Sequence, residues 1–258
     1  MSNRVAIQNP TGTRGLYRFF YFTLRHLARN WRAEYRNWQW FWQSFEDYQR
    51  IAPMDRQPRI NDLQAYLTDR TATTPIDPVY FYQDAWAFEK IVQRRPAEHF
   101  DVGSHHKYVA LLSKVVPVTM IDIRPLALPM ESIRFRPGSI TELPFADGTV
   151  ASLSSLCVVE HIGLGRYGDP LDPDGTEKAV RELVRVLAPG GRLYLSLPVA
   201  RRDKIVFNAH RLTAIDRVAE LTAPARELER RFIVGRTMSD EFAEVSGEET
   251  VVLLELTK

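Results

Sequence analysis

Two hydrophobic periods run along the chain, and the change from one to the other marks its elements. Leu16, Phe20, Leu24, Leu27, Trp31, Trp38, Phe41, Trp42 and Phe45 recur at helical spacing and share one side of a wheel drawn at about 100° per residue. Arg14, Arg18, Arg25, Arg29, Arg32 and Arg36 fall within a sector of roughly 60° on the other side. This spacing predicts a long amphipathic helix over residues 14–45. Pro53, Pro58, Pro75 and Pro78 then surround a short helical stretch, Asp62 to Leu67, and mark a connector. Asp77-Pro78 opens YFYQDAWAFEKIVQ, a second helix. The organisation expected is an extension over 1–75 and one domain over 76–258.

Beyond residue 97 the pattern changes to short uncharged runs of strand length. The runs 99–102, 118–122 and 151–159 carry almost no charge, as strands buried on both faces do. Leu143-Pro144-Phe145 and Asp147-Gly148 form a turn before the third of these runs. TEKAVRELVRVLA (176–188) has apolar residues at helical spacing, Pro189-Gly190-Gly191 ends it, and RLYLSL restarts a strand. Strand, helix and strand in that order make a βαβ unit. Residues 232–238 and 250–257 add two more strands, the last antiparallel. The fold class predicted is α/β: a Rossmann-like three-layer α/β/α domain, mostly parallel, behind an N-terminal helical extension.

Composition narrows the picture. At 258 residues, 45% hydrophobic and 26% charged, the chain suits a soluble globular protein. No apolar run approaches the length of a membrane span, and no secretory leader is evident. Cys157, the single cysteine, lies in a strand, so no disulfide framework exists and a cytoplasmic setting is expected. The first 50 residues hold eight arginines against Glu34, Glu46 and Asp47, a net charge of +5, whereas the whole chain nets +2, leaving −3 for the rest. A basic helix with an aromatic face fits an anionic membrane surface, at the inner face of the membrane for a cytoplasmic protein, or a partner such as a second copy. Nucleic acid is not expected, because no binding module accompanies the stripe.

In open α/β sheets, ligands lie beyond the carboxyl ends of the strands, where strand order reverses. The polar residues on that edge are Gly103, Ser104, His105 and His106 after the first strand, and Asp122 and Arg124 after the second. Ser139 follows the third, Glu160 and His161 the fourth, and Asn208 and His210 the fifth. Four of the six histidines are in this set. The adjacent pair His105-His106 points in opposite directions, so no metal site is expected. An EF-hand loop is excluded in GLGRYGDPLDPDG, since Pro170 and Arg181 would fill its first and twelfth ligand positions.

The run LPF-x-DGTV, the strand ending VVEH and the segment RVLAPGGRLYLSLP, preceded by HFDVGS and VTMID, resemble the class I S-adenosylmethionine (SAM) dependent methyltransferases. A narrower resemblance, carried by DPVYFYQDAWA, FDVGS, IDIRPL, EHIGLGRYGDPLDPDG and FNAHR, is to the DUF268 family, a methyltransferase-like family of unassigned activity. The resemblance implies SAM as cofactor, held by Asp101, Gly103, Ser104, His105, Asp122, Ser139 and Ile140. Asp101 and Asp122 stand 21 positions apart, near the interval between a nucleotide loop and its ribose acid. The chain departs from the family's D-x-G-x-G-x-G, keeping Gly103 alone, and Ser139 stands where relatives often carry an acid toward adenine. NAD is disfavoured by the missing G-x-G-x-x-G.

Glu160, His161 and His210 are the catalytic candidates, since O-methylation calls for a base beside a hydroxyl. Arg166, Tyr167, Asp169, Asn208 and Arg211 are the substrate-binding candidates, suited to a sugar, glycan or lipid-linked precursor. Two alternatives remain at this stage: a non-catalytic scaffold that lost its glycine loop, and an enzyme using another nucleotide ligand.

Overall fold

A computed structural model describes residues 13–128 and 130–258, and within the first helix it leaves the side chains of 13–15, 18, 19, 22 and 25–30 undescribed. The chain divides into two compact units, Met1–Pro75 and Ile76–Lys258. In the first, α1 runs Thr13–Ile51. Leu16, Leu24, Trp31, Trp38 and Trp42 are exposed on it, and the Trp38 and Trp42 rings stack at 6.3 Å. Of the predicted arginine stripe, Arg32 and Arg36 are described and exposed. The side chains of Arg14, Arg18, Arg25 and Arg29, like that of Leu27, lie outside the described residues. The helix expected over Asp62–Leu67 is corrected: a single 3-10 turn, Ile60–Asp62, gives way to extended backbone at Leu63. The Asp62 carboxylate accepts the Arg59 N–H at 3.2 Å and closes the turn locally.

The second unit opens with α2, Pro78–Arg94. Asp77 caps it by accepting from Val79 N at 2.9 Å and Tyr80 N at 3.3 Å, and Arg95 ends it in the left-handed region. The strands are β1 His99–Val102, β2 Val118–Asp122, β3 Ile133–Pro137, β4 Val150–Leu156 and β5 Leu187–Ala200. After them come β6 Lys204–Val206, β7 His210–Ala214, β8 Arg226–Val234, β9 Thr237–Ser239 and β10 Thr250–Thr257. The main sheet has the order β3-β2-β1-β4-β5-β10-β8-β9. The first five strands are parallel, and β10 is antiparallel to both its neighbours. Strand order reverses between β1 and β4, which opens the crevice where α/β sheets bind ligands.

Alternating residues of the central strands divide the core into two layers. Leu193, Leu195 and Leu197 of β5 and Val252, Leu254 and Leu256 of β10 pack with Ala179, Val180 and Leu183 of α4 (Gly175–Val186). Tyr194, Val251 and Leu253 face the other way, onto Trp86 and Ile91 of α2 and Val109 and Leu112 of α3 (His106–Leu112). Helices on both faces of a buried parallel sheet explain why these strands carry so little charge.

Three sequence boundaries move. The run read as reaching Val159 stops at Leu156, because Cys157 turns at a φ of 51°. The Pro-Gly-Gly segment lies inside β5, with Gly190 N donating to Lys258 O at 2.9 Å and a register break opposite Val150 and Ser152. The strand read as Phe232–Met238 is a hairpin, β8 and β9, folded at Gly235. The β6–β7 hairpin, which the hydrophobic pattern does not announce, adds β7 to the edge of β5 through Val199 and Ala200.

Candidate functional site

A cavity of about 760 Å³ opens at the carboxyl ends of β1 to β4. Its first wall is built around backbone geometry. Gly103 leaves β1 at a φ of +71°, and a Cβ placed there would meet Val158 Cγ1 at 2.9 Å, so glycine is required on both counts. Ser104 lines the cavity too, while its hydroxyl accepts from Leu156 N at 3.0 Å, which ties the loop to β4. Asp122, at the tip of β2, lines the cavity and accepts the Arg124 N–H at 2.8 Å. Met120, Ile121, Ile133 and Ile140 supply apolar walls. Ser139 also lines the cavity, and its hydroxyl lies 2.8 Å from that of Thr141. His105 lines it too, its ring 4.9 Å from that of Tyr80, with burial first and the neighbouring His106 and Lys107 next in holding its pKa down.

Asp101 does not reach the cavity, contrary to expectation. It is fully buried behind the loop, where Oδ1 accepts from Ser104 N at 3.1 Å and Oδ2 from the Ser154 hydroxyl at 2.6 Å. Burial raises its pKa to about 6 against these bonds. The Ser154 hydroxyl also lies 2.9 Å from His99 Nε2, so the imidazole donates there and accepts from Ser152 through Nδ1 at 2.8 Å. Burial holds His99 neutral, its pKa lowered to about 3. Asp101 therefore braces the loop after β1 from beneath.

The second wall gathers titratable groups. A 3-10 turn, Val159–His161, carries Glu160 and His161 at the end of β4. His161 lines the cavity, and its Nδ1 donates to Ala209 O at 2.6 Å, which leaves Nε2 as the free acceptor. Burial lowers its pKa to about 4 against the bond to Ala209 O, with Arg166 and His210 adding smaller downward pushes, so the imidazole is neutral at pH 7. Glu160 points inward, 3% exposed, with Oε1 3.6 Å from His161 Nε2 and Oε2 without a hydrogen-bond partner among the described residues. Burial raises its pKa to about 8, so it holds its proton at pH 7. His210 lies behind, its ring 6.4 Å from that of His161 and Nε2 2.7 Å from Glu249 Oε1.

The loop after this turn is braced rather than mobile in its bonding. Asp169 accepts from Gly163 N at 2.6 Å and Tyr167 N at 3.3 Å. Asp172 N donates to Gly163 O at 2.9 Å. Arg211, expected to bind substrate, is buried and does not line the cavity; its guanidinium donates to Ile162 O and, at 2.8 Å, to Asp172 O. Asn208 is exposed at the turn of the β6–β7 hairpin with a φ of 63° and is also outside the cavity lining. Tyr167 and Asp169 line it, while Arg166 stands over the Tyr167 ring at 5.1 Å without lining it.

Sequence reasoning did not assign Tyr80, Arg124, Thr141 or Cys157, all of which line the cavity. Arg124 carried a signal, two positions past the acid that ends β2. Tyr80 carried none, since it comes from α2, outside the strand-end logic. Among the described residues no group of three or more His, Cys, Asp or Glu side chains converges on a metal position.

This sheet order and crevice define a class I SAM-dependent methyltransferase fold, and comparison with solved structures agrees. The 1,6-didemethyltoxoflavin-N1-methyltransferase of Burkholderia thailandensis, crystallised with 1,6-didemethyltoxoflavin and S-adenosylhomocysteine, is 16% identical, with 69% of this chain and 79% of that one covered and a TM-score of 0.51. The N-methyltransferase NodS of Bradyrhizobium japonicum, in complex with S-adenosylhomocysteine, is 16% identical, with 84% and 97% covered and a TM-score of 0.50. The [4+2]-cyclase SpnF is 14% identical, with 68% and 81% covered and a TM-score of 0.50. Within that fold, residues 144–226 match the family model described as Caenorhabditis protein of unknown function, DUF268. No curated protein matches the chain by sequence.

Proposed function

We propose that the protein is a SAM-dependent methyltransferase acting on a hydroxyl group, with a sugar, glycan or lipid-linked precursor as acceptor. The observation that carries this reading is the juxtaposition, in one cavity, of a nucleotide wall (Gly103, Asp122, Ile140) and a neutral imidazole, His161, whose Nε2 is free to accept a proton. The residues fit the cofactor: Gly103 leaves room for close backbone approach, Asp122 offers a carboxylate for ribose hydroxyls, and the apolar side chains of β2 and β3 suit an adenine. The bound cofactor would supply an electrophilic methyl group. His161 would take the acceptor's proton, and the Ala209 carbonyl would hold its tautomer. Glu160, neutral at pH 7, would offer no competing charge to that imidazole until alkaline pH.

Two further features belong to this reading. The cavity's polar rim, Tyr167 and Asp169, favours a hydroxylated acceptor. The exposed aromatics of α1, paired with a basic register on the opposite side, favour peripheral attachment to an anionic membrane where lipid-linked acceptors reside. No helix is long and apolar enough to cross a membrane, among the described residues. The [4+2]-cyclase neighbour gives the competing reading its substance, since the same fold serves other chemistry.

Calorimetric titration with SAM and S-adenosylhomocysteine, with NAD and a nucleotide sugar as controls, tests the first part. Micromolar binding that is lost in Asp122→Ala is expected, and His161→Ala should bind normally yet transfer no methyl group. Absence of binding by either ligand would sink the methyltransferase reading. Co-sedimentation with phosphatidylglycerol vesicles tests the second: Trp31→Ser/Trp38→Ser/Trp42→Ser should abolish binding, and equal binding to neutral vesicles would count against an anionic surface.

A further inference from the structure

Two arginines share one aromatic ring of the cavity wall, Arg124 lining the cavity and Arg166 standing outside its lining. The Arg124 guanidinium lies over Tyr167 at 4.4 Å and that of Arg166 over the same ring at 5.1 Å. Stacking on a ring fixes a guanidinium while leaving its N–H fork pointed outward. Neither cation has a carboxylate within hydrogen-bond distance among the described residues. Arg124 Nε forms a loose ion pair with Asp122 Oδ1 at 3.7 Å, and Arg166 forms no ion pair among the described residues, its Nη1 donating to Ala209 O at 3.1 Å and lying 3.4 Å from His161 Nδ1. The acids that could have neutralised them are engaged elsewhere: Asp169 accepts the backbone N–H groups of Gly163 and Tyr167, and Asp172 pairs with Lys178 at 2.6 Å. Asp122 is the acid that the proposed cofactor would claim. The pair is also next to the candidate base, with the Tyr167 ring 5.6 Å from that of His161.

We infer that Arg124, Tyr167 and Arg166 form an anion clamp, and that the group it takes is a phosphate carried by the acceptor. Two guanidiniums held on one ring, one in a loose ion pair and the other in none among the described residues, match phosphate oxygens in charge and in fork geometry. A neutral sugar would leave both cations without a partner once Asp122 turned to the ribose. The clamp deepens the methyltransferase reading by naming the acceptor as a phosphorylated molecule, and it rests on that reading only for the word acceptor. Phosphate binding itself is measured without methyl transfer.

The test titrates the full chain, with and without S-adenosylhomocysteine, with glucose 1-phosphate, glucose, and farnesyl phosphate in detergent. Both phosphate-bearing probes, or one of them, should bind, and glucose should not. Binding of glucose 1-phosphate alone indicates a soluble sugar phosphate, and tighter binding of farnesyl phosphate a lipid-linked one. Arg124→Ala and Arg166→Ala should each weaken the bound probe by about tenfold, the loss of one charge-assisted contact. Tyr167→Leu should weaken it less, because both charges remain. Unchanged thermal unfolding of these variants would exclude loss of fold as the cause. If no phosphate-bearing probe binds, or if the double variant binds as well as the parent, the clamp is overturned. Phosphate binding without any S-adenosylhomocysteine binding would uphold the clamp and remove the methyltransferase reading.

Discussion

The two walls of the cavity are built on different principles. The wall at β1 to β3 is a matter of backbone path and apolar lining, with one carboxylate, Asp122, at a strand tip. The wall beyond β4 is a matter of burial: Glu160 is raised to about 8, His161 lowered to about 4, and a braced loop holds them. A nucleotide needs a shaped slot and a few fixed partners, whereas proton transfer needs groups whose ionisation has been moved away from its solution value. The pKa of His105 on the first wall is lowered as well, but the larger shifts belong to the second wall, which under the proposed reading would host the acceptor chemistry.

The largest effect should come from breaking the brace. A Cβ on Gly163, at a φ of +80°, would sit 2.1 Å from Asp172 O, a backbone atom that cannot rotate aside. Gly163→Ala should cost about 4 kcal/mol in chemical denaturation, or dismantle the loop outright. Gly168, at a φ of +88° with nothing within 4 Å, is its control: Gly168→Ala carries only the backbone penalty of about 1 kcal/mol. If the walls are independent, S-adenosylhomocysteine affinity should survive Gly163→Ala within a few-fold. Equal losses in the two variants would show that the loop is not braced as described.

Glu160 supplies the next test. Its folded pKa, about 8, lies above the usual carboxylate value of 4.5, so the native state binds the proton more tightly than the unfolded chain does. The resulting stabilisation is complete below pH 4.5 and is lost as pH rises to about 8. Glutamine cannot ionise, so Glu160→Gln should match the parent near pH 4.5 and exceed its stability by on the order of 4 kcal/mol at pH 8. Thermal unfolding across this range is the measurement. A constant difference between the two proteins would mean that Glu160 is ionised inside the fold.

The walls also differ in how far the sequence reveals them. Gly103 and Asp122 are 19 positions apart in one βαβ run, and strand-end logic finds both without knowing the fold's far side. Asp101 was placed on the right strand but on the wrong side of the loop, because only its partners Ser104, Ser154 and His99 show that it faces the interior. The second wall joins residues far apart in the chain. His161 owes its tautomer to Ala209, 48 positions later, and the braced loop owes its closure to Arg211. Both come from a hairpin of short, half-exposed strands, β6 and β7, whose apolar pattern is too weak to announce it. Arg211 looked like a ligand residue because a guanidinium can pair bidentately with phosphate or carboxylate. In the fold its charge is spent on carbonyl groups.

The smallest change sharpens the first wall. Ser139 occupies the position where the methyltransferase resemblance expects an acid toward the adenine amine. Here its hydroxyl lies 2.8 Å from Thr141 Oγ1 and accepts from Thr141 N at 3.3 Å, so little acceptor capacity remains for a ligand. An aspartate at 139 could keep the Thr141 contacts with one oxygen and present the other to the cavity, which Ser139 already lines. Ser139→Asp should therefore tighten S-adenosylhomocysteine binding by about threefold, a fraction of the worth of a charge-assisted hydrogen bond. Inosine in place of adenosine separates direct contact from general electrostatics, since it lacks the amine. A gain seen equally with S-inosylhomocysteine would place the new carboxylate away from the base, and the adenine would then lie elsewhere along the wall.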